Sequence, residues 1–429
     1  MKEKIIIKNF SVLEDVELEI NKISILIGPQ AAGKSLIAKL IYFFKSSVIT
    51  EMVPAIISNQ ERRKYEAALK ENFNSLFPGY LINRDRFEID YYYGENRISI
   101  SNEKDKNFKS MEISYSDNIL KGFSHLKKSY NKKKLPMINP SIRQKWDVET
   151  FNELSRLFYG ENRYTYFIPA LRSIFFHIEK QIFSIIAHRY PSLDFFLAVF
   201  GDFFQQIKAR YQNNMSPVGI DPDLYRLCRE ALGGEFKSDG TNDWIAPDPV
   251  GNRAVLLKNS SSGQQELTPM LLALQELSTY PNYSFTFIEE PEAHIFPETQ
   301  YKIIEVIAGV YNLLKRNTGF FITTHSPYIL TAFNNLIQAD NTFQDIKKQF
   351  DKREIDSSIK DDLMKKLNDT IKQGRWVAFD DVAVYLVENG KCRDIRDSET
   401  KLIDADAIDK VSDAAASTFT RLLDISPGD

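Results

Sequence analysis

Eight consecutive residues, Gly28-Pro29-Gln30-Ala31-Ala32-Gly33-Lys34-Ser35, match the pattern G-x-x-x-x-G-K-[ST] at every fixed position. The chemistry of that spacing is phosphate binding. A glycine-rich loop turns its backbone N–H groups toward an anion, and the following helix N-terminus adds a favourable dipole. Lys34 is placed to reach the β- and γ-phosphates of a nucleoside triphosphate, and the Ser35 hydroxyl to hold Mg²⁺. The flanks agree. Ile23–Ile27 is a short apolar run of strand type, and Leu36–Phe44 has helical composition.

A second set of reactive residues follows two later apolar runs. Ser284–Ile288 reads as a strand, and it ends in Glu289 and Glu290. Glu289 is assigned to the metal and Glu290 to orienting and polarising the attacking water. An Asp is usual at the first position, and the longer Glu289 reaches the ion either directly or through water. Gly319–Thr324 is another buried strand, and it ends in His325, placed to contact the γ-phosphate and the water. Between the P-loop and these strands lies Ser260-Ser261-Ser262-Gly263-Gln264-Gln265-Glu266, then a helix from about Pro269 to Leu277. Alone, that turn is no more than a helix cap.

The elements that position these residues can be read in outline. The 429 residues allow two or three domains, 43% are hydrophobic, and the net charge is −3. A polycation is excluded, so any nucleic-acid contact must use a local patch. The two cysteines, Cys228 and Cys392, exclude a disulfide framework and suit a reducing cytoplasm. The N-terminus has no signal-peptide plan, and no apolar run is expected to span a bilayer. Lys4–Lys8 and Val16–Ile20 read as strands, the second with one wet face. Arg86–Tyr93 and Arg97–Ser101 read as a hairpin, with Met111–Tyr115 a third strand. Lys127, Lys128, Lys132, Lys133 and Lys134 form a basic tract, read as a solvated loop or as a phosphate-backbone contact surface. Tyr164–Ile168 is a strand broken at Pro169. Ile174, Ile178, Ile182 and Ile185 recur at helical spacing. Val382–Val387 and Cys392–Ile395 read as a hairpin around Asn389-Gly390, and Asp406–Leu423 as a closing helix.

Taken together, the motifs carry a resemblance. Ser261-Ser262-Gly263-Gln264 stands where ABC-class ATPases carry Ser-Gly-Gly-Gln. The ordered set of P-loop, signature, Glu289-Glu290-Pro291-Glu292-Ala293-His294 and Thr324-His325-Ser326-Pro327 resembles the ABC/SMC-type ATPases known as AAA family ATPases. Within them it is similar to the ATPase parts of overcoming-lysogenization-defect (OLD) proteins and of two-gene antiphage systems. Phe167-Ile168-Pro169-Ala170-Leu171-Arg172 resembles a PA-x-R element of that branch. The resemblance covers residues 1–44 and roughly 165–335.

It implies an α/β fold: a P-loop ABC-type ATPase head, a mixed sheet with flanking helices, carrying an inserted α+β arm and a helical subdomain. The expected division is 1–44 for the N-terminal lobe, 45–164 for the arm, and 165–258 for a strand and helical subdomain. Residues 259–345 form the signature lobe and 346–429 the C-terminal helices and small hairpin. The resemblance further implies ATP and Mg²⁺ as ligands. It implies two heads sandwiching ATP, with Ser261 and Gly263 acting across the pair, and a separate effector such as a nuclease. Asn9 or Phe10 is the candidate lining of the adenine slot, Phe10 being equally readable as core. Glu388 with Asp404 and Asp406 imitates the order of a TOPRIM nuclease but is too closely spaced to frame one, so no nuclease is expected in this chain. Alternatives are a RecF-like DNA repair ATPase using the basic tract, a transporter ATPase, and a nucleotide-gated scaffold without turnover.

Overall fold

The computed structural model describes residues 2–78, 86–102, 111–132, 140–160, 163–176, 194–211, 219–247, 254–280, 283–314 and 317–404. The strands are β1 (Glu3–Phe10), β2 (Leu13–Ile20), β3 (Ile23–Ile27), β4 (Glu88–Tyr93), β5 (Asn96–Ser101), β6 (Glu112–Tyr115), β7 (Arg163–Ile168), β8 (Glu235–Ser238), β9 (Asp243–Ala246), β10 (Val255–Leu256), β11 (Tyr283–Glu289), β12 (Thr318–Thr324), β13 (Val382–Glu388), β14 (Lys391–Asp394), β15 (Arg396–Asp397) and β16 (Leu402–Ile403). The α-helices are α1 (Lys34–Tyr42), α2 (Val48–Ile57), α3 (Arg62–Leu76), α4 (Asp117–Lys132), α5 (Pro140–Tyr159), α6 (Phe195–Arg210), α7 (Pro222–Leu232), α8 (Ser262–Leu277), α9 (Pro297–Leu313), α10 (Pro327–Asp351) and α11 (Ser357–Thr370).

Eleven strands make one mixed sheet in the order β6-β5-β4-β1-β2-β14-β13-β3-β12-β11-β7. The block β13-β3-β12-β11-β7 is parallel throughout. Parallel strands are covered on both faces, which is why β3 is buried at all five positions. Its alternation divides the interior. Ile23, Ile25 and Ile27 join one core with Ile288, Ile322 and α8, whereas Leu26 joins the other with Phe287, Phe321 and α1. Each such fully buried Ile or Leu stabilises the fold by roughly 1.5–3 kcal/mol.

The remainder of the sheet is mainly antiparallel, and β2 alternates as expected, with Val16, Leu18 and Ile20 buried and Glu17 and Glu19 exposed. The hairpin β4–β5 and the third strand β6 form, but they are not set apart in an arm. β4 pairs with β1 in register Ile5↔Tyr91 and so extends the sheet. The C-terminal hairpin β13–β14 likewise enters the sheet's centre, β13 lying parallel to β3 and β14 touching β2.

Several local readings change. Helix α1 does not stop near Phe44; a π-turn at Phe43–Ser47 carries it into α2. The continuous helix Lys34–Ile57 therefore does have the length and apolarity of a membrane span, but 72% of its most apolar 18-residue window is buried, as expected of a core helix. α8 begins at Ser262, with Pro269 inside it, rather than near Pro269. Phe10 is fully buried against Phe73, Phe77 and Phe87, which makes it core and not a slot lining. Ile178, Ile182, Ile185, Lys133, Lys134 and the Asp406–Leu423 segment lie outside the described residues.

Candidate nucleotide site

Parallel strands place their carboxyl ends on one edge, which is where ligands bind in open α/β sheets. The register brings Thr324 beside Ile27, Glu289 beside Thr323, and Ile288 beside Ile168. The P-loop, Glu289-Glu290, His325 and the Pro169–Arg172 turn thus meet at one edge, although they come from four separated stretches of sequence.

The loop after β3 leaves its helix open. Gly33, in the left-handed region at φ 97°, caps α1 with no side-chain hydrogen bond, and the first turn holds no acid. The N–H groups at that end remain available to an anion. Gly28 is required by close approach: a Cβ there would lie 2.0 Å from the Val387 carbonyl oxygen of β13. A cleft of about 500 Å³ runs past this loop between Val12, Glu14, Pro29–Ala32 and the turn Glu388–Gly390. Asn9, exposed near the end of β1, is not among its lining residues.

Lys34 is 5% exposed. Its Nζ donates to the Gly28 and Pro29 carbonyls, 2.7 Å each, and lies 3.2 Å from Nδ1 of His325. Burial pulls the amine below its ordinary pKa, while Glu290 and Glu292 oppose that shift. An ammonium only donates, so Nδ1 of His325 accepts and the hydrogen-bond network assigns the ring proton to Nε2. That Nε2–H then donates to Glu290 Oε1 at 2.6 Å. Lys34, His325 and Glu290 form one chain of hydrogen bonds.

Glu290 has φ 44°, the left-handed region, which costs a non-glycine residue of order 1–3 kcal/mol. Two contacts hold it there. Its N–H donates to the Thr323 carbonyl at 2.9 Å, and its own carbonyl accepts from Arg172 Nη2 at 3.1 Å. Glu292 fixes the neighbouring strand end: its Oε1 accepts from Thr324 Oγ1 and from the His325 N–H, 2.7 Å each.

Glu289 is 6% exposed, and burial raises its carboxyl pKa, offset in part by Lys39 and by the nearby Ser35 hydroxyl. Its Oε2 accepts from the Ala170 N–H at 3.4 Å, while Oε1 is buried without a partner. An orphaned, desolvated carboxylate oxygen beside a serine hydroxyl fits a hard divalent cation. Among the described residues no group of three or more His, Cys, Asp or Glu side chains could hold a metal. Mg²⁺ keeps water and phosphate oxygens in its shell, so one carboxylate and one hydroxyl are enough as protein ligands.

The sequence of this edge agrees with a known family. The AAA ATPase domain model matches residues 1–184 and 178–330. The chain belongs to the AAA ATPase domain family. Nucleotide binding is what that membership implies, and the P-loop geometry is in accord with it. No curated protein matches the chain in sequence. Among solved structures, an SMC head bound to the C-terminal winged-helix domain of ScpA is 11% identical, covering 77% of this chain and 91% of that one at a TM-score of 0.39. The SMC head domain from Thermotoga maritima is 13% identical over the same shares, at a TM-score of 0.34. The recombination mediator RecF is 10% identical over 92% of this chain and 98% of that one, also at 0.34. These likenesses are weak, and the α/β architecture rests on the strand order itself.

The other expected residues are placed as follows. Ser261 caps α8, its hydroxyl accepting from the Gln264 N–H at 3.2 Å, and both Ser261 and Ser262 are exposed. A Cβ on Gly263 would lie 2.8 Å from the His294 carbonyl oxygen, so the signature helix abuts the loop that follows β11. The basic tract starts on α4 rather than in a loop. Lys127 is committed to the Gln60 carbonyl, while Lys128 is exposed. Two site residues carried no assigned role in the sequence, Arg172 and Glu292. Each sits inside a short motif whose neighbours had been singled out, and that adjacency was the available signal.

Proposed function

We propose that this chain is an ATP-hydrolysing head whose nucleotide-driven pairing controls a separate effector, a nuclease, in bacterial antiphage defence. The observation that carries the hydrolytic part is the chain Lys34–His325–Glu290 beside the orphaned oxygen of Glu289. Gly28–Ser35 wraps the phosphates, and Lys34 exchanges its two loop carbonyls for phosphate oxygens. Ser35 and Glu289 hold Mg²⁺, which supplies charge neutralisation on the phosphates. Glu290 takes a proton from water as that water attacks the γ-phosphorus. The bond from phosphorus to the β,γ-bridging oxygen breaks, leaving ADP and inorganic phosphate. His325 orients the Glu290 carboxylate through Nε2–H.

Pairing is supported by the signature. The Ser261 hydroxyl is exposed, and its described hydrogen bonds go only to Gln264 of its own head. An exposed serine hydroxyl at a helix N-terminus suits the γ-phosphate of a second copy. The defence role rests on the Glu289–His294 and Pro169–Arg172 motifs. The test is the mass in solution of Glu290→Gln with and without ATP and Mg²⁺, alongside co-purification with proteins of its native operon. An ATP-dependent doubling with a bound nuclease is expected. A constant monomer that binds duplex DNA with steep salt dependence contradicts the proposal in favour of a RecF-like repair role.

A further inference from the structure

Arg172 sits at the junction of three elements of the nucleotide edge and is 0% exposed. Its Nε donates to the Glu266 carbonyl of α8 at 3.0 Å. Nη1 donates to the Pro169 and Glu289 carbonyls, 2.8 Å each, and Nη2 to the Glu290 carbonyl at 3.1 Å. The Glu266 side chain returns the contact. Its Oε2 accepts from the Arg172 N–H at 2.9 Å, and its Oε1 accepts from the Ser173 N–H at 3.1 Å and hydroxyl at 2.7 Å. Leu171, in the left-handed region at φ 61° and 62% exposed, makes the turn that sends Arg172 inward.

We propose that Arg172, clasped by Glu266 and Ser173, is a positioning residue that makes the signature helix and the catalytic end of β11 move as one body. The inference rests on the reading of Glu290 as the hydrolytic base. Three facts carry it. Besides its buried ion pair with Glu266 Oε2 at 3.4 Å, Arg172 donates to four backbone carbonyls, three of them on the signature helix and at the end of β11, more than an ion pair alone would use. One of those carbonyls belongs to Glu290, whose strained backbone needs an anchor to keep its side chain on His325. The second attachment, Gly263 against the His294 carbonyl, joins the same two elements one turn nearer the signature serines. A displacement at Ser261–Gly263 is therefore delivered to Glu290 through Glu266 and Arg172. In a pair of heads, contact of one head's signature with its partner's nucleotide would set the first head's own base.

The test uses the full chain with Arg172→Lys and, as a milder change, Ser173→Ala. A lysine keeps the charge but cannot span carbonyls on two elements with a planar fork. For Arg172→Lys the expected result is a kcat reduced about tenfold or more, with ATP affinity within about twofold of wild type. Ser173→Ala should lose about two- to fivefold in kcat with an unchanged melting temperature. In both, amide hydrogen exchange should quicken together at residues 290–295 and in the first turn of α8. Unchanged kcat, or a kcat loss fully explained by the unfolded fraction, overturns the proposal, as does unchanged exchange at residues 290–295. If the wild type hydrolyses no ATP, or Glu290→Gln retains its turnover, the hydrolytic reading fails instead, and the exchange experiment still decides the brace.

Discussion

Two buried ionic clusters lie at opposite ends of the parallel strands, and they are built differently. At the amino ends, Glu3 is enclosed. Its Oε1 takes Lys45 and the Tyr91 hydroxyl, and its Oε2 takes Arg163 at 3.1 Å. Lys45 also lies 4.0 Å over the Phe285 ring, and Arg163 4.5 Å over that of Tyr283. Both carboxylate oxygens are answered within the protein. At the carboxyl ends, Glu289 Oε1 and Glu292 Oε2 are buried with no partner, Lys34 rests on carbonyls it can give up, and Glu290 is held in a strained conformation. A closed network ties the two blocks of the sheet together. An open one leaves polar atoms for a ligand to satisfy. The difference teaches where, on one sheet, charge stabilises the fold and where it is kept for chemistry.

Breaking each cluster should have opposite signatures. The largest effect is expected from Lys34→Ala, which should weaken ATP binding by about a hundredfold or more while the melting temperature stays near wild type. Isothermal titration checks the first and calorimetry the second. Next comes Glu3→Gln, which leaves Lys45 and Arg163 buried without their anion. It should destabilise by about 3–5 kcal/mol in denaturant titration, with ATP affinity per folded molecule unaltered. Glu292→Gln should be milder in kind. It loosens the Thr324–His325 corner and should lower kcat by about tenfold, with little change in binding.

The smallest effect sharpens the contrast through pH. Burial alone would raise the Glu3 carboxyl, but Lys45 and Arg163 outweigh it and hold the pKa below the ordinary 4.5. A carboxyl with a depressed folded-state pKa stabilises above its unfolded value and loses that contribution as pH falls through the folded one. Wild-type stability should therefore decline on acidification below about pH 4.5, and Glu3→Gln should flatten that decline in melts run across the acid range. An equal slope in both proteins would mean that Glu3 is not part of a closed network.

What could be read from sequence follows from distance along the chain. The P-loop, the Glu289-Glu290 strand and the His325 strand are contiguous patterns, each fixed by local apolar runs. The antiparallel strands were legible as strands, but β4 against β1 depends on a pairing across more than eighty residues that no local pattern specifies. The start of α8 was hidden because Pro269, ordinarily a helix boundary, sits inside it. The turn from α1 into α2 was hidden because the π-turn has no local stop signal. Arg172 meets Glu266 from 94 residues away, and Glu292 meets His325 from 33. Neither contact has a sequence signature of its own.

The central claim is that Glu290 at this edge serves as the base for ATP hydrolysis. It is tested most directly by measuring ATP binding and steady-state turnover of Glu290→Gln side by side with wild type. Retained binding with turnover reduced by about a hundredfold or more is the predicted result. Turnover equal to wild type would contradict the account, and would remove the chemical reason for holding Glu290 in its strained backbone.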